Sequence, residues 1–240
     1  MWELLINLLA SAIVGVAVWV TQRLLQLRKL ARTQAFFGAR PGEEVMLFVA
    51  KHHSSPRENS VNRTDVACLI EVASAIRDCG GIPTLLTSEE NRPQAGRVTE
   101  YSIGGPLGNP RTEAYLRTDF PGVRFVGDSE QLPLLVGTRE FRLSPGREEF
   151  VLLARTQRSA SSRPAFLLAG QTARANLAAA RLLSERYTQL NRDYPPGRDF
   201  CLVLRVSEPA AFGPDRVEIV EDVTLTAKTP LPPEEKMQAA

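Results

Sequence analysis

The chain has 240 residues, of which 43% are hydrophobic and 23% charged. This composition is typical of a folded globular protein and excludes a wholly disordered chain or a collagen-like repeat. The net charge is +2 at pH 7, which is too close to balance to indicate binding to nucleic acid. We therefore predict no direct contact with nucleic acid.

The N-terminal segment is apolar. Residues 4–20 carry no charged side chain, and as a helix they would rise about 25 Å, slightly less than the roughly 30 Å hydrocarbon core of a bilayer. The chain's two tryptophans, Trp2 and Trp19, flank this run, and indole rings favour the headgroup layers. We expect residues 1–22 to form a single transmembrane helix, with residues 2–20 in the lipid bilayer. The alternative is a cleaved signal peptide, which opens with basic residues, whereas Arg23 is the first one here.

Basic residues follow the apolar run. Residues 23–32 combine arginine and lysine with leucine, a pattern typical of a helix that leaves the bilayer along anionic headgroups. Residues 23–43 are thus predicted to form a basic juxtamembrane helix and, from residue 33, a linker. Positive charge marks the inner side of a membrane, so we expect a single-pass cell-membrane protein with its C-terminal domain in the cytoplasm. The three cysteines are odd in number and lack a CxxC motif, which favours reduced thiols.

A strand–helix–strand unit begins the domain beyond the linker. Residues 45–50 form a continuous apolar run, typical of a strand buried on both faces. A helix capped by Thr64 or Asp65 follows, and residues 82–87 form the next strand. Such a unit predicts two parallel strands joined by a right-handed crossover. The apolar residues at helical spacing, and so the predicted buried face of the helix, are Val66, Leu69, Ile70, Ala73 and Ile76.

The rest of the chain alternates in the same way, with less regularity. The predicted elements are strand 98–103, helix 110–118, strand 123–126, a hairpin of 134–143 with 149–156, strand 165–169, a helix capped by Thr172, and edge strands 200–206 and 217–225. This order predicts an α/β domain over residues 44–227, Rossmann-like and three-layered, with a mostly parallel sheet and an antiparallel edge. Residues 228–240 are polar and rich in proline, so we expect a disordered tail.

The most informative turn is the glycine-rich one after strand 98–103. In open α/β sheets, ligands bind beyond the carboxyl ends of the strands, and glycines let a ligand approach the backbone while the following helix offers free N–H groups to an anion. Asn109-Pro110 also fits an ordinary helix start that needs no ligand. The candidate ligand-binding residues here are Ser102, Gly104, Gly105, Gly108, Asn109, Arg111 and Thr112.

Two other strand ends carry candidates. Gly170, Gln171 and Thr172 repeat the pattern of a buried strand, a glycine and a capped helix, although capping alone explains the threonine. His52 and His53 follow the first strand, and we take His52 as a candidate acid, base or ligand, the alternative being an exposed loop histidine. The sequence has no HExxH motif and no cysteine spacing typical of a metal site. We therefore predict neither a metal site nor a cofactor.

The run GGPLGNPRTEAYL, which contains Gly104, Gly105, Gly108, Thr112 and Glu113, resembles the glycine-loop-to-helix segment of the SLOG and nucleoside deoxyribosyltransferase-like Rossmannoid families. Those families bind nucleotides or cleave N-glycosidic bonds, and some members sense signalling nucleotides in bacterial defence systems. The resemblance, confined to this run, implies nucleotide binding, and it implies a catalytic role for Glu113 if the chain is an enzyme.

Three functions follow from these features. The leading hypothesis is a membrane-anchored cytosolic domain that binds a small anionic ligand, such as a nucleotide, as a sensor or adaptor. The alternatives are a nucleoside or nucleotide N-glycosidase or transferase, and a structural domain that binds another protein without a ligand. Association into a homo-oligomer is left open. The leading hypothesis requires that the turns at 104–109 and 170–172 border one cleft.

Overall fold

The computed structural model describes residues 2–52, 55, 60–88, 90, 96–127 and 132–231, without the side chains of residues 4, 5 and 8–11. The helices in this part of the chain are α1 (Trp2–Phe37), α2 (Arg63–Asp78), α3 (Pro110–Asp119), α4 (Ala173–Asp193), α5 (Pro209–Phe212) and α6 (Thr224–Lys228). The strands are β1 (Glu44–Val49), β2 (Ile82–Thr87), β3 (Thr99–Ile103), β4 (Val123–Phe125), β5 (Leu134–Val136), β6 (Arg139–Phe141), β7 (Glu148–Thr156), β8 (Ala165–Gly170), β9 (Phe200–Ser207) and β10 (Val217–Asp222).

A seven-stranded central sheet has the order β10-β9-β7-β8-β3-β1-β2. Strands β2, β1, β3 and β8 run parallel to one another. Strand β7 is antiparallel to both of its neighbours, β8 and β9, so β9 runs in the same direction as β8. The predicted α/β fold with a mainly parallel sheet is confirmed. Its antiparallel part is not confined to the edge, because β7 lies inside the sheet.

Two layers cover the central sheet. On one face, α2, α4 and the end of α1 pack over alternate residues of the strands, such as Val45, Leu47 and Val49 of β1. On the other face, α3 and α6 pack with a small antiparallel sheet of order β4-β5-β6. The inner strands β1, β3, β7, β8 and β9 are therefore buried on both sides, whereas the edge strands β2 and β10 are partly exposed. Burial on both faces explains the continuous apolar runs of β1 and β8.

The predicted hairpin of residues 134–143 with 149–156 is wrong. Strands β5 and β6 pair with each other across a turn at Gly137, where the backbone has a positive φ of 60°. Strand β7 instead enters the central sheet between β8 and β9, and eight of its nine residues are buried. A strand buried this completely gains more apolar contact inside a covered sheet than in an isolated hairpin.

Helix α2 begins earlier than the sequence predicts, and its buried face is shifted from the predicted one. Its N-cap is Asn62, whose side-chain oxygen accepts a hydrogen bond from the backbone N–H of Thr64 at 2.8 Å. Cys68 and Val72 are buried where the helix meets α4 and the sheet, whereas Ile70 is 65% exposed. Leu69 and Ile76 of the predicted face are buried as expected, but packing against α4 leaves Val66 and Ile70 exposed.

Helix α1 continues into the stretch that was expected to be a linker. Its last residues, Phe36 and Phe37, are buried in the core of the domain. The hydroxyl of Tyr101 on β3 donates to the carbonyl of Phe37 at 2.9 Å, and Gln34 Nε2 donates to the carbonyl of Cys79 at 2.9 Å. The helix therefore joins the α/β domain through its own packed end, with no separate linker over residues 33–37.

The two terminal predictions fall partly outside the described residues. Within the part of the chain that the structure describes, no helix is both long and apolar enough to span a membrane. The expected span includes residues 4, 5 and 8–11, whose side chains lie outside that description. Residues 232–240 of the expected disordered tail also lie outside it, and Lys228 belongs to α6.

The docking of α1 predicts a large effect for Phe36→Ala. Phe36 is fully buried against Phe37, Phe166 and Tyr187, so its truncation should lower the free energy of unfolding by about 3–5 kcal/mol. Ile70→Ala is the control, and it should cost less than about 1 kcal/mol because the side chain is exposed. Urea unfolding of the full chain measures both, and similar small losses for the two variants would contradict the docking.

Candidate functional site

A cleft lies at the carboxyl edge of the parallel strands, where β1, β3 and β8 end side by side. It encloses a cavity of about 340 Å³. The two turns picked out in the sequence both line it, the first through Gly104, Gly105 and Gly108 and the second through residues 170–172. The turns touch, because a Cβ on Gly105 would lie 3.0 Å from the carbonyl oxygen of Gly170. The structure thus brings them to one cleft, as the leading hypothesis requires.

The glycine-rich turn is held by the backbone of the strand beside it. Ala50 N–H donates to the carbonyl of Ile103 at 2.9 Å, and Lys51 N–H donates to that of Gly108 at 2.9 Å. Gly104 has a positive φ of 109°, and a Cβ there would collide with the Cβ of Ala50. These glycines are therefore required by the close approach of the turn to β1, whether or not a ligand binds.

The N-termini of two long helices face the cleft. Thr172 caps α4 by accepting a hydrogen bond from the N–H of Ala175 at 3.1 Å, and Thr172 and Ala173 line the cavity. Asn62, the cap of α2, lines it as well. The first N–H groups of a helix lack partners within the helix, and together with the helix dipole they give this end a partial positive charge. Two such ends make this edge of the cavity favourable for an anion.

Asp65 is a site residue that the sequence pointed to only as a helix cap. It is 6% exposed and lines the cavity. Asn176 Nδ2 donates to Asp65 Oδ1 at 2.9 Å, while Asn176 Oδ1 accepts from the N–H of Gly170 at 2.7 Å. An acidic residue in the first turn of a helix is common, so the sequence around Asp65 does not indicate that this side chain is buried. The burial comes from α4, which packs across α2.

Asp65 and His52 are the electrostatically unusual pair in the cleft. Burial raises the pKa of Asp65 above its ordinary value, although the hydrogen bond from Asn176 and the nearby His52 each act to lower that pKa. His52 lines the same cavity, and its Nδ1 atom is buried without a hydrogen-bond partner among the described residues. His53 lies outside the described residues.

Three of the predicted ligand-binding side chains are instead internal ties. Asn109 is fully buried, caps α3 through the N–H groups of Arg111 and Thr112, and donates to the carbonyl of Ile103. Thr112 Oγ1 bonds to the carbonyl of Gly104 and to the Ser102 hydroxyl, both at 2.8 Å. These side chains shape the glycine-rich turn from behind and do not line the cavity in the described part of the chain.

Gln171 lies at the cleft, but its amide is committed to the fold. Its Oε1 accepts from the N–H of Phe150 at 2.8 Å, and its Nε2 donates to the carbonyls of Leu132 and Phe141 at 3.0 and 2.8 Å. This side chain therefore ties the small sheet to the central one. No ligand contact through its amide is expected without breaking these bonds.

The two charged candidates on α3 point elsewhere. Arg111 forms a two-pronged ion pair with the buried Glu100, at 2.9 and 2.6 Å, and lies over the ring of Phe48. The charge of Arg111 is thus paired with Glu100, and the side chain does not line the cavity. Glu113 is exposed and does not line the cavity, so the geometry gives no support to the catalytic role implied by the resemblance.

A larger cavity of about 630 Å³ lies at the opposite, amino edge of the sheet. It separates the last turns of α1 from the turn between β7 and β8. Its most buried cation, Arg155, donates through Nη2 to the carbonyls of Tyr194, Pro195 and Arg198, and lies between the rings of Phe36 and Phe200. These contacts hold the end of α1 in place, so we assign this region to the docking of the helix.

The comparisons with known proteins give no relative whose site could be compared with this one. No family model matches the chain, and no curated protein matches it. Among the described residues, no group of three or more histidine, cysteine, aspartate or glutamate side chains is placed to hold a metal ion. The helix N-termini meet in the cleft with the charged or titratable side chains of Lys51, His52 and Asp65, and these groups suit a small ligand with both acceptor and donor groups.

The buried carboxyl of Asp65 predicts a pH effect on stability. Because its pKa is raised above the value of about 4 in an unfolded chain, the folded protein binds the proton more tightly, and stability falls as the pH rises through the raised pKa. Asp65→Asn keeps an acceptor for Asn176 without the charge. Its unfolding free energy relative to that of the wild type should therefore increase from about pH 4 to about pH 7.

Urea unfolding across this pH range measures the difference between the two proteins. Asp78→Asn, at the exposed end of the same helix, is the matched control. The unfolding free energy of Asp78→Asn should follow that of the wild type across the pH range. His52 and Lys51, which line the same cavity as Asp65, are present in all three proteins. An Asp65→Asn curve parallel to that of the wild type would contradict the burial of a charged group.

Proposed function

We propose that the α/β domain binds a small anionic ligand in the cavity at the carboxyl edge of its sheet. The observation that carries this proposal is that both glycine turns and the N-termini of α2 and α4 share that one cavity. Its volume of about 340 Å³ falls within the roughly 300–1,000 Å³ of small-molecule sites. A nucleotide suits the site, because its phosphate can lie at the helix ends and the rest of it in the cleft.

The position of the anion within the cleft follows from its charges. Asp65 is the carboxylate among the described lining residues, and it would repel an anionic group placed beside it. Thr172 and Ala173 lie at the start of α4, where two N–H groups of the first turn lack partners within the helix. Glu149 also contacts this helix start, through the hydroxyl of Thr172, but its charge is paired with Arg174 at 3.3 Å. We therefore assign the anionic group to the free backbone N–H groups in the first turn of α4.

The same fold supports a role as a sensor or adaptor. Helix α4 begins at the cavity and, further along, its Tyr187 ring lies 5.7 Å from Phe37 and 6.4 Å from Phe36 at the end of α1. One helix thus contacts both the ligand cleft and the N-terminal helix. The transferase or N-glycosidase alternative needs a carboxylate at the ligand. Glu113, expected for that role, is exposed and away from the cavity, so the role would fall to Asp65, the carboxylate among the described lining residues.

Ala173→Glu tests the anion site. A carboxylate in the first turn of α4 should stabilise the free protein by about 0.3–1 kcal/mol through the helix dipole and weaken binding of an anion about tenfold or more. The control is Ser74→Glu, which adds the same charge at an exposed position in the middle of α2.

Thermal unfolding of the full chain with phosphate, pyrophosphate and a panel of nucleoside phosphates measures the binding. A ligand that binds only the folded protein must raise its melting temperature. We expect at least one of these compounds to do so, less in Ala173→Glu than in Ser74→Glu. Equal stability across the whole panel would reject the proposal and favour the structural role.

We also propose that α1 anchors the protein in a membrane through residues 2–20, with the α/β domain on the cytoplasmic side. The apolar run between Trp2 and Trp19, followed by basic residues, supports this proposal. The described apolar side chains in it, such as Ile13 and Val16, are 66% and 61% exposed. An apolar helix surface of this kind needs lipid or protein to cover it.

Ile13→Arg combined with Val16→Arg tests the anchor. A charge near the centre of a bilayer costs about 2.5–3.5 kcal/mol per residue, so the variant should leave the membrane fraction on alkaline extraction, while the wild type should remain. Gln26→Arg, in the basic stretch, is the control and should behave like the wild type. Retention of the double variant in the membrane would argue against this anchor.

A further inference from the structure

Asp65 has more capacity to accept hydrogen bonds than the fold uses. An ionised carboxylate offers about four acceptor positions. Among the described residues, the one hydrogen bond to this side chain comes from Asn176, at Oδ1. The residue is 6% exposed, and it lines the cavity. Its remaining acceptor positions therefore lie at the boundary of the ligand cleft.

The orientation of this carboxylate is fixed before any ligand arrives. Asn176 is 2% exposed, and it joins Asp65 to the N–H of Gly170, so it connects the start of α2 to the end of β8. Asp65 also belongs to the first turn of α2, whose cap, Asn62, lines the same cavity. A carboxylate held in this way loses little freedom when it accepts a further hydrogen bond.

The fold does not need a charge at this position. An amide would also accept the hydrogen bond from Asn176, although the bond would be weaker than one to a carboxylate, and it would avoid the cost of burying an ionised group. Favourable interaction with the N-terminus of α2 offsets part of this cost, yet the pKa of Asp65 remains raised. A carboxyl that lies buried in a cleft, although its ionised form lowers the stability of the fold, is typical of a binding or catalytic position.

The surroundings select the kind of group that Asp65 accepts. The positive ends of α2 and α4, together with Lys51 in the cavity lining, disfavour an ammonium group on the ligand, and the carboxylate itself disfavours a second anion. A neutral hydroxyl satisfies both conditions. Building on the function proposed above, we infer that the ligand is a phosphate ester that also carries hydroxyl groups, such as a sugar phosphate or a nucleotide, and that Asp65 accepts a hydrogen bond from one of those hydroxyls.

The test compares two phosphate esters on the full chain. Ribose 5-phosphate carries hydroxyl groups, whereas n-propyl phosphate has the same charged group without them. Calorimetric titration should give about tenfold tighter binding, or more, for ribose 5-phosphate, the usual effect of a hydrogen bond to a charged group. In Asp65→Asn this ratio should fall to about threefold or less, while n-propyl phosphate should bind at least as tightly as to the wild type. Asp78→Asn should keep the full ratio.

Three outcomes are distinguishable. A preference for ribose 5-phosphate that is lost in Asp65→Asn and kept in Asp78→Asn supports the inference. Equal binding of the two esters to the wild type, or a preference that survives in Asp65→Asn, overturns the role of Asp65 and leaves the anion site standing. Failure of both esters, phosphate and the nucleoside phosphates to bind overturns the proposed function, and the inference with it.

Discussion

The parallel pairing of β1, β3 and β8 is the constraint on which the rest of this structure depends. Val49 pairs with Ile103, and Ile103 pairs with Leu168, so the three strands end almost level. The turns that follow these strands therefore lie side by side, and glycines stand where they approach most closely, as the contact of Gly105 with the Gly170 carbonyl shows. The cavity is the space left between these turns and the helices that follow them. Its existence is a consequence of strand register, before any particular side chain is considered.

Local signals predicted the parts of the fold that depend on neighbouring residues. The apolar run at β1, the glycine turn before Pro110 and the cap at Thr172 each follow from a few adjacent residues, and the parallel βαβ unit follows from their order. What failed depends on distant partners. The two short strands β5 and β6 read as one although Gly137 between them is a local turn signal, whereas their pairing with β4 depends on residues remote in the sequence. The arc of α2 that is buried depends on where α4 lies, and hydrophobic spacing alone contains no such information.

The same distinction explains the candidate site. Gly104, Gly105 and Thr172 reach the cleft because backbone geometry alone places them there. Arg111 was chosen for its charge near a helix start, but Glu100, on the neighbouring strand, takes that charge through a two-pronged ion pair. Asp65 shows the reverse error, since an unremarkable first-turn acid becomes a buried cleft residue only after α4 brings Asn176 against it. Side-chain roles were thus less predictable than backbone positions, because each role depends on a partner that is remote in the sequence.

Helix α4 gives the fold a physical link between the cleft and the N-terminal helix. It starts at the cavity with Thr172 and meets Phe36 and Phe37 through Tyr187, about 22 Å further along its axis. A helix buried along one face against a close-packed core shifts as a rigid element, because its side chains have few alternative positions. Under the proposed function, an anion at its first turn would interact with the same helix that holds the end of α1. Since α1 enters the core without a flexible linker, a displacement of α4 would reach α1 through the packed rings of Phe36, Phe37 and Tyr187.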